Sequence, residues 1–155
     1  MDKIEFKVIE EIDDHVPYDS VRILINGIDL IDMLREYEMK FAQKEGSPSI
    51  AGSYVGLMPM YLYQYLTEPN QFNIYDDHKA IILGCDCGCE GCWPMMIKIL
   101  KDNNRIIWTE FEQPHRGPTS RCYWNYNEFG VFIFDLDNYN LQLDELKKYF
   151  DEDDI

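Results

Sequence analysis

Four of the five cysteines fall in one short run, GCDCGCEGCWP at 84–94. Cys85, Cys87, Cys89 and Cys92 put four thiols within eight residues, and Gly84, Gly88 and Gly91 allow sharp positive-φ turns between them. Thiolates at that density suit Zn²⁺, which takes four soft ligands in a tetrahedron. Ordinary zinc sites use two separated C-x-x-C knuckles, whereas here only Cys89 and Cys92 have knuckle spacing, and four ligands from one tight loop are crowded. A fifth donor relieves the crowding. Asn103 and Asn104 close a two-residue hairpin that pairs Asp102 with Arg105, so positions summing to 207 face each other and Cys92 falls opposite His115. The expected metal ligands are drawn from Cys85, Cys87, Cys89, Cys92 and His115, with Cys87, Cys89, Cys92 and His115 the four that this geometry favours and Zn²⁺ as the cofactor.

The same residues support other chemistry. A glycine-loosened turn can carry reduced cysteines that act as small, partly buried hydrophobes. Cys89 and Cys92 also form a C-x-x-C, but thioredoxin-type thiols sit at a helix N-terminus, and here Trp93 and Pro94 lead into a strand. A Cys92–His115 nucleophile pair needs a third group to orient the histidine, and the sequence identifies none. Glu110, Glu112 and His115 around a zinc would suggest hydrolysis, provided one coordination position stays open. Phosphate-loop, dinucleotide, zincin, nucleophile-elbow and deaminase signatures are all missing from the chain. Cys122 stands apart, and His15 and His78 fall in or beside turns.

The elements that hold these residues follow from periodicity. Residues 2–12 read as a strand, 13–17 as its turn, and 20–25 as its partner, with Val21, Ile23 and Ile25 alternating. Asn26 and Gly27 break that strand. Leu30, Leu34, Tyr37 and Phe41 then mark one helical face with Asp29 as N-cap, and Gly46 and Pro48 end the helix. Tyr61, Tyr63 and Tyr65 lie in a segment readable as short helix or strand, and packing rather than binding explains them best. Strands are expected at 79–83, 94–101, 105–113 and 132–135. A last helix carries Tyr139, Leu143, Leu146 and Phe150 on one face, with Asp137 as its cap. Tight connections imply an antiparallel sheet, and the two amphipathic helices must bury their stripes against it. The expected fold is α+β, a single domain over 1–155 with the acidic tail 151–155 frayed.

Charge narrows the partners. Against 14 Lys and Arg stand 29 Asp and Glu, a formal net charge of −15. A nucleic-acid backbone is recognised by clustered cations, so no nucleic-acid partner is expected, and an anionic membrane surface is disfavoured for the same reason. A basic protein partner fits. No apolar run reaches the length of a membrane span, and the N-terminal residues lack the apolar core of a signal peptide, which points to a cytoplasmic protein. Five cysteines in that reducing compartment are expected as thiols or metal ligands.

Two motifs carry a family resemblance. The turn GCDCGCEGCWP at 84–94 and the strand end WTEFEQPHR at 108–116 resemble a family of small uncharacterised bacterial proteins. In that family a G-C-x-C…G-C-W-P turn precedes a W-x-x-F-E-Q-P-H-R segment. Trp124 and Tyr126, then the FIFD of 132–135, are similar to its later W-x-Y…F-x-F-D portion, and 26–31 and 51–54 also look familiar. The resemblance spans roughly 20–150 and implies no assigned reaction. The functional expectation is a non-enzymatic cytoplasmic binding protein, immunity- or antitoxin-like toward a basic partner. The alternative is a small metal- or thiol-dependent enzyme built on the cysteine turn and His115, and a module of a larger assembly is a third reading.

Overall fold

Ile4, Phe6 and Val8 alternate with polar neighbours, so β1 (Ile4–Asp13) has one inward face; Val21, Ile23 and Ile25 do the same for β2 (Val16–Ile25). The two strands pair from Ile4↔Ile25 to Asp13↔Val16 around Asp14 and His15, whose φ values are 48° and 67°. Those left-handed values match the twist of a two-residue hairpin, so the turn is tighter than the 13–17 expected and the first strand runs on to Asp13. A second turn at Asn26 and Gly27 adds the short β3 (Ile28–Asp29). Asp29 then caps α1 (Leu30–Lys44) as expected, its Oδ1 accepting from the Ile31 N–H at 2.8 Å. The structure, a computed structural model, describes residues 1–69, 78–86 and 92–151.

A second sheet has the order β4 (Tyr54–Gly56), β5 (Ala80–Cys85), β6 (Met95–Asp102), β7 (Arg105–Glu112) and β8 (Phe132–Asp135), with every neighbouring pair antiparallel. The tyrosine segment is a helix, α2 (Pro59–Thr67), started by a proline whose missing N–H costs nothing in the first turn. Tyr65 is buried, and Tyr63 meets Phe150 edge-on at 5.4 Å. The last helix, α3 (Leu136–Lys147), is capped by Asp135, not Asp137. β8 runs straight into the helix, so the capping position falls on the strand's final residue, whose Oδ2 accepts from the Asn138 N–H at 3.1 Å.

The expected α+β class holds, with the strands divided between two antiparallel sheets and a third helix added. Phe6 of β1 stacks on Trp108 of β7 at 6.5 Å, and Tyr139 of α3 closes on both rings, so one core lies between the sheets. Backbone bonds tie the sheets together, from Asp2 N–H to the Ile133 carbonyl and from Val21 N–H to the Leu57 carbonyl, each 2.8 Å. Among the described residues no helix is long and apolar enough to cross a membrane. The tail beyond Asp151 lies outside the described residues.

One strand pair departs from its expected register. β6 and β7 keep positions summing to 207 from Asp102↔Arg105 to Lys98↔Thr109, after which Met96 pairs with Glu112. Glu110, at φ 51°, is the extra residue of a β-bulge that shifts the remainder by one. The extrapolated pairing of Cys92 with His115 is thereby corrected: Trp93 takes the place opposite His115, and the two rings stack at 5.9 Å and 6°.

Candidate functional site

Cys85 is the last residue of β5, buried, paired across the ladder with Tyr54, and its Sγ donates to Asp86 Oδ1 at 3.6 Å. Cys92 is exposed just before β6, and His115 is exposed in the 3₁₀ turn Pro114–Arg116 that follows β7. Cys87 and Cys89 lie outside the described residues. Among the described residues, no three His, Cys, Asp or Glu side chains gather in a way that holds a metal. The bulge sets His115 against the ring of Trp93, the residue that follows Cys92 in the chain.

The described polar side chains that do converge centre on α1. Leu30, Leu34, Glu38 and Ala42 form its buried stripe, so a carboxylate occupies a core position. Burying a lone carboxylate is prohibitive, and this one is answered by three donors. Glu38 Oε2 accepts from the Tyr54 and Tyr126 hydroxyls, both at 2.6 Å, and Oε1 accepts from the Gly52 N–H at 2.9 Å. Gly52 is needed there: at φ +67° it packs so closely on α1 that a Cβ would lie 2.5 Å from Arg35 Cβ. Gln113, fully buried, extends the network, donating to the Pro94 carbonyl at 3.0 Å and to Tyr54 Oη at 3.4 Å while accepting from His115 N–H at 3.0 Å.

Two helical turns on, Glu45 forms a second centre. Its Oε1 and Oε2 receive Arg116 Nε and Nη2, each at 3.1 Å, and Oε1 also accepts from Trp124 Nε1 at 2.7 Å. The guanidinium lies 4.9 Å from the Trp93 ring and 5.7 Å from the Trp124 ring, so a bidentate ion pair is enclosed by indoles. Trp124 stacks on Phe41 of α1 at 6.1 Å, and Tyr37 donates to the Asn125 carbonyl at 2.6 Å. Residues 113–131, which contain no helix or strand beyond one 3₁₀ turn, are thus fastened to α1 at 37, 38, 41 and 45. A connection of that length in a folded domain needs such fastening.

Chemically, the carboxylates of both centres are answered within the chain, while Trp93 Nε1 is buried without a hydrogen-bond partner among the described residues. Burial pushes the Glu38 carboxyl above the ordinary carboxylate range even though three hydrogen bonds oppose that shift. Burial, then the nearby Glu38 charge, raises the Tyr54 phenol well above its usual value; burial and the neighbouring Tyr54 do the same for Tyr126. Neither phenol is poised as a base, and each Glu38 and Glu45 oxygen already has a protein donor. Sequence reasoning passed over Glu38 and Glu45, although their positions four and eleven residues after Leu34 lie on the helix stripe. The motif residues Gly52, Trp93, Gln113, His115, Arg116, Trp124 and Tyr126 all fall within these two centres or against them. No protein-family model, curated protein or solved structure matches this chain.

Proposed function

We propose that this chain is a non-catalytic cytoplasmic binding protein, immunity- or antitoxin-like in kind, whose partner is a basic protein. The observation that carries this reading is the saturation of the two converging carboxylates. Glu38 and Glu45 are saturated by donors from their own chain, which leaves no open carboxylate, phenol or guanidinium in the cluster for a substrate. Among the described residues every acidic side chain but Glu38 is exposed or partly exposed, within a net charge of −15 for the chain. Such a surface speeds encounter with a cationic protein and makes the complex sensitive to salt. Affinity capture from the native host, run at about 10 mM salt where screening is weak and repeated near 150 mM, tests the proposal. A basic protein enriched at low salt and released at higher salt supports it. Enrichment of no basic protein overturns it.

A metal-bound turn is the second reading, favoured by the stack of His115 on Trp93, the residue next to Cys92. Cys85, Cys87, Cys89, Cys92 and His115 would supply the donors for Zn²⁺, closing the loop between β5 and β6 as a structural clasp. Elemental analysis of protein purified without a histidine tag decides it. One equivalent of zinc, with the loop thiols shielded from alkylation, supports the clasp. No metal and rapid alkylation of all five thiols in the native protein removes it.

A further inference from the structure

The distal half of the β1–β2 hairpin is built differently from its base. Between Val8 and Val21 it carries Glu10, Glu11, Asp13, Asp14 and Asp19, with neither Lys nor Arg. Glu10 and Asp19 stand directly opposite each other across the ladder, an arrangement of like charges that destabilises an isolated sheet. Arg22 offers the nearest cation, 3.9 Å from Glu11, and its closer partner is Asp29 at 3.0 Å. Ile12 is 71% exposed and Val16 62% exposed, so the acidic tip also presents large apolar side chains to solvent. Ile12 and its cross-strand neighbour Pro17 share a face with the Glu10–Asp19 pair, because side chains alternate with a period of two.

Beside this tip lies a groove of about 390 Å³, bounded by Asp13 and Tyr18 on the hairpin, Leu57, Met58 and Tyr61 at the start of α2, and Cys85 of β5. Met58 and Tyr61 are 42% and 40% exposed along it. Burial, then Glu11 and Asp13, raise the Tyr18 phenol, so the negative field of the tip reaches the groove wall. Exposed apolar side chains next to a charge cluster of one sign are the composition of an interaction surface.

We propose that the hairpin tip and the adjoining groove dock a cationic, partly apolar segment of the partner protein. Lys or Arg stems pack on Tyr18, Met58 and Tyr61 in the groove with their charged heads at Asp13 and Asp14, while flanking cations pass round the hairpin edge to Ile12, Glu10 and Asp19 on its opposite face. The inference rests on the basic-partner reading and adds the surface and the chemistry of the segment it receives. The like-charge pair, a cost in the lone chain, becomes a gain once cations sit between the carboxylates.

The test uses the full chain, isotopically labelled for NMR, titrated with the synthetic peptide KLKLK and with KSKSK as a probe of equal charge and less apolar surface. Amide shifts confined to residues 10–19 and 57–61, with KLKLK binding about tenfold tighter than KSKSK, are expected. The quadruple variant Glu10→Gln, Asp13→Asn, Asp14→Asn and Asp19→Asn should weaken KLKLK binding at least about tenfold. Neutralising Glu36, Glu128, Asp137 and Asp144 instead, all exposed outside the hairpin, should change it less than about twofold. The hairpin variant removes repulsion, so its melting temperature should not fall, which keeps loss of binding separate from loss of fold. No saturable binding, shifts spread over the whole surface, or equal loss in both variants overturns the docking site. A captured basic partner that holds the hairpin variant as tightly as the native chain overturns the site alone and leaves the basic-partner reading standing; failure to capture any basic partner sinks that reading itself.

Discussion

Glu38 is a carboxylate placed where the helix pattern calls for an aliphatic side chain, and its three donors explain how the fold tolerates it. Glu38→Ala strands the Tyr54 and Tyr126 hydroxyls and the Gly52 N–H, and should cost about 3–5 kcal/mol in urea denaturation. The pH dependence has a definite sign. Because burial raises the folded pKa above the unfolded one, both states hold the proton below the ordinary carboxylate range and Glu38 costs nothing there. As pH rises through that range toward the raised value, the folded state alone keeps the proton, so native stability falls relative to Glu38→Gln; denaturation of both proteins over a pH series checks it. Arg116→Lys loses the bidentate fork and the fit between Trp93 and Trp124, and should cost about 1.5–3 kcal/mol by the same method. At this scale the sequence was partly legible. The thiol run and His115 stood out by residue type, but Glu38 and Glu45 look like any helix acid until the packed face is known.

Helices α1 and α3 and most strands were readable because their side chains repeat at 3.6 and 2.0 residues, whereas α2 stayed open between helix and strand, and the Asp29 cap followed from type and position. The bulge at Glu110 was not readable. Glutamate has no special preference for φ near 51°, and the shift falls beyond Trp108, where β7 has left its pairing with β8, so only the assembled sheet shows it. The cap of α3 was misplaced for a related reason, since Asp135 and Asp137 are equally good capping types and only the strand end chooses between them. The β1–β2 turn holds Asp14 and His15 in the left-handed region, where a side chain such as histidine is strained. The double change Asp14→Asn and His15→Gly matches the preferred turn chemistry and should raise stability by about 1 kcal/mol, read as a higher melting temperature.

As a whole, the molecule combines internally answered carboxylates with a large acidic excess. A net charge of −15 makes the folded chain repel itself, so its melting temperature should rise as salt increases from about 0.01 M to 0.15 M and the screening length shrinks from roughly 30 to 8 Å. Falling stability over that interval would show that attractive ion pairs outweigh the repulsion. The central claim is that binding belongs to the charged surface and architecture to the buried carboxylates. The most direct measurement is the affinity of the captured basic protein for the native chain and for folded Arg116→Lys, each followed against salt. The account predicts that affinity falls steeply with salt for both, and that Arg116→Lys stays within about twofold of the native chain throughout. A folded Arg116→Lys protein that no longer binds, or a native affinity indifferent to salt, would contradict it.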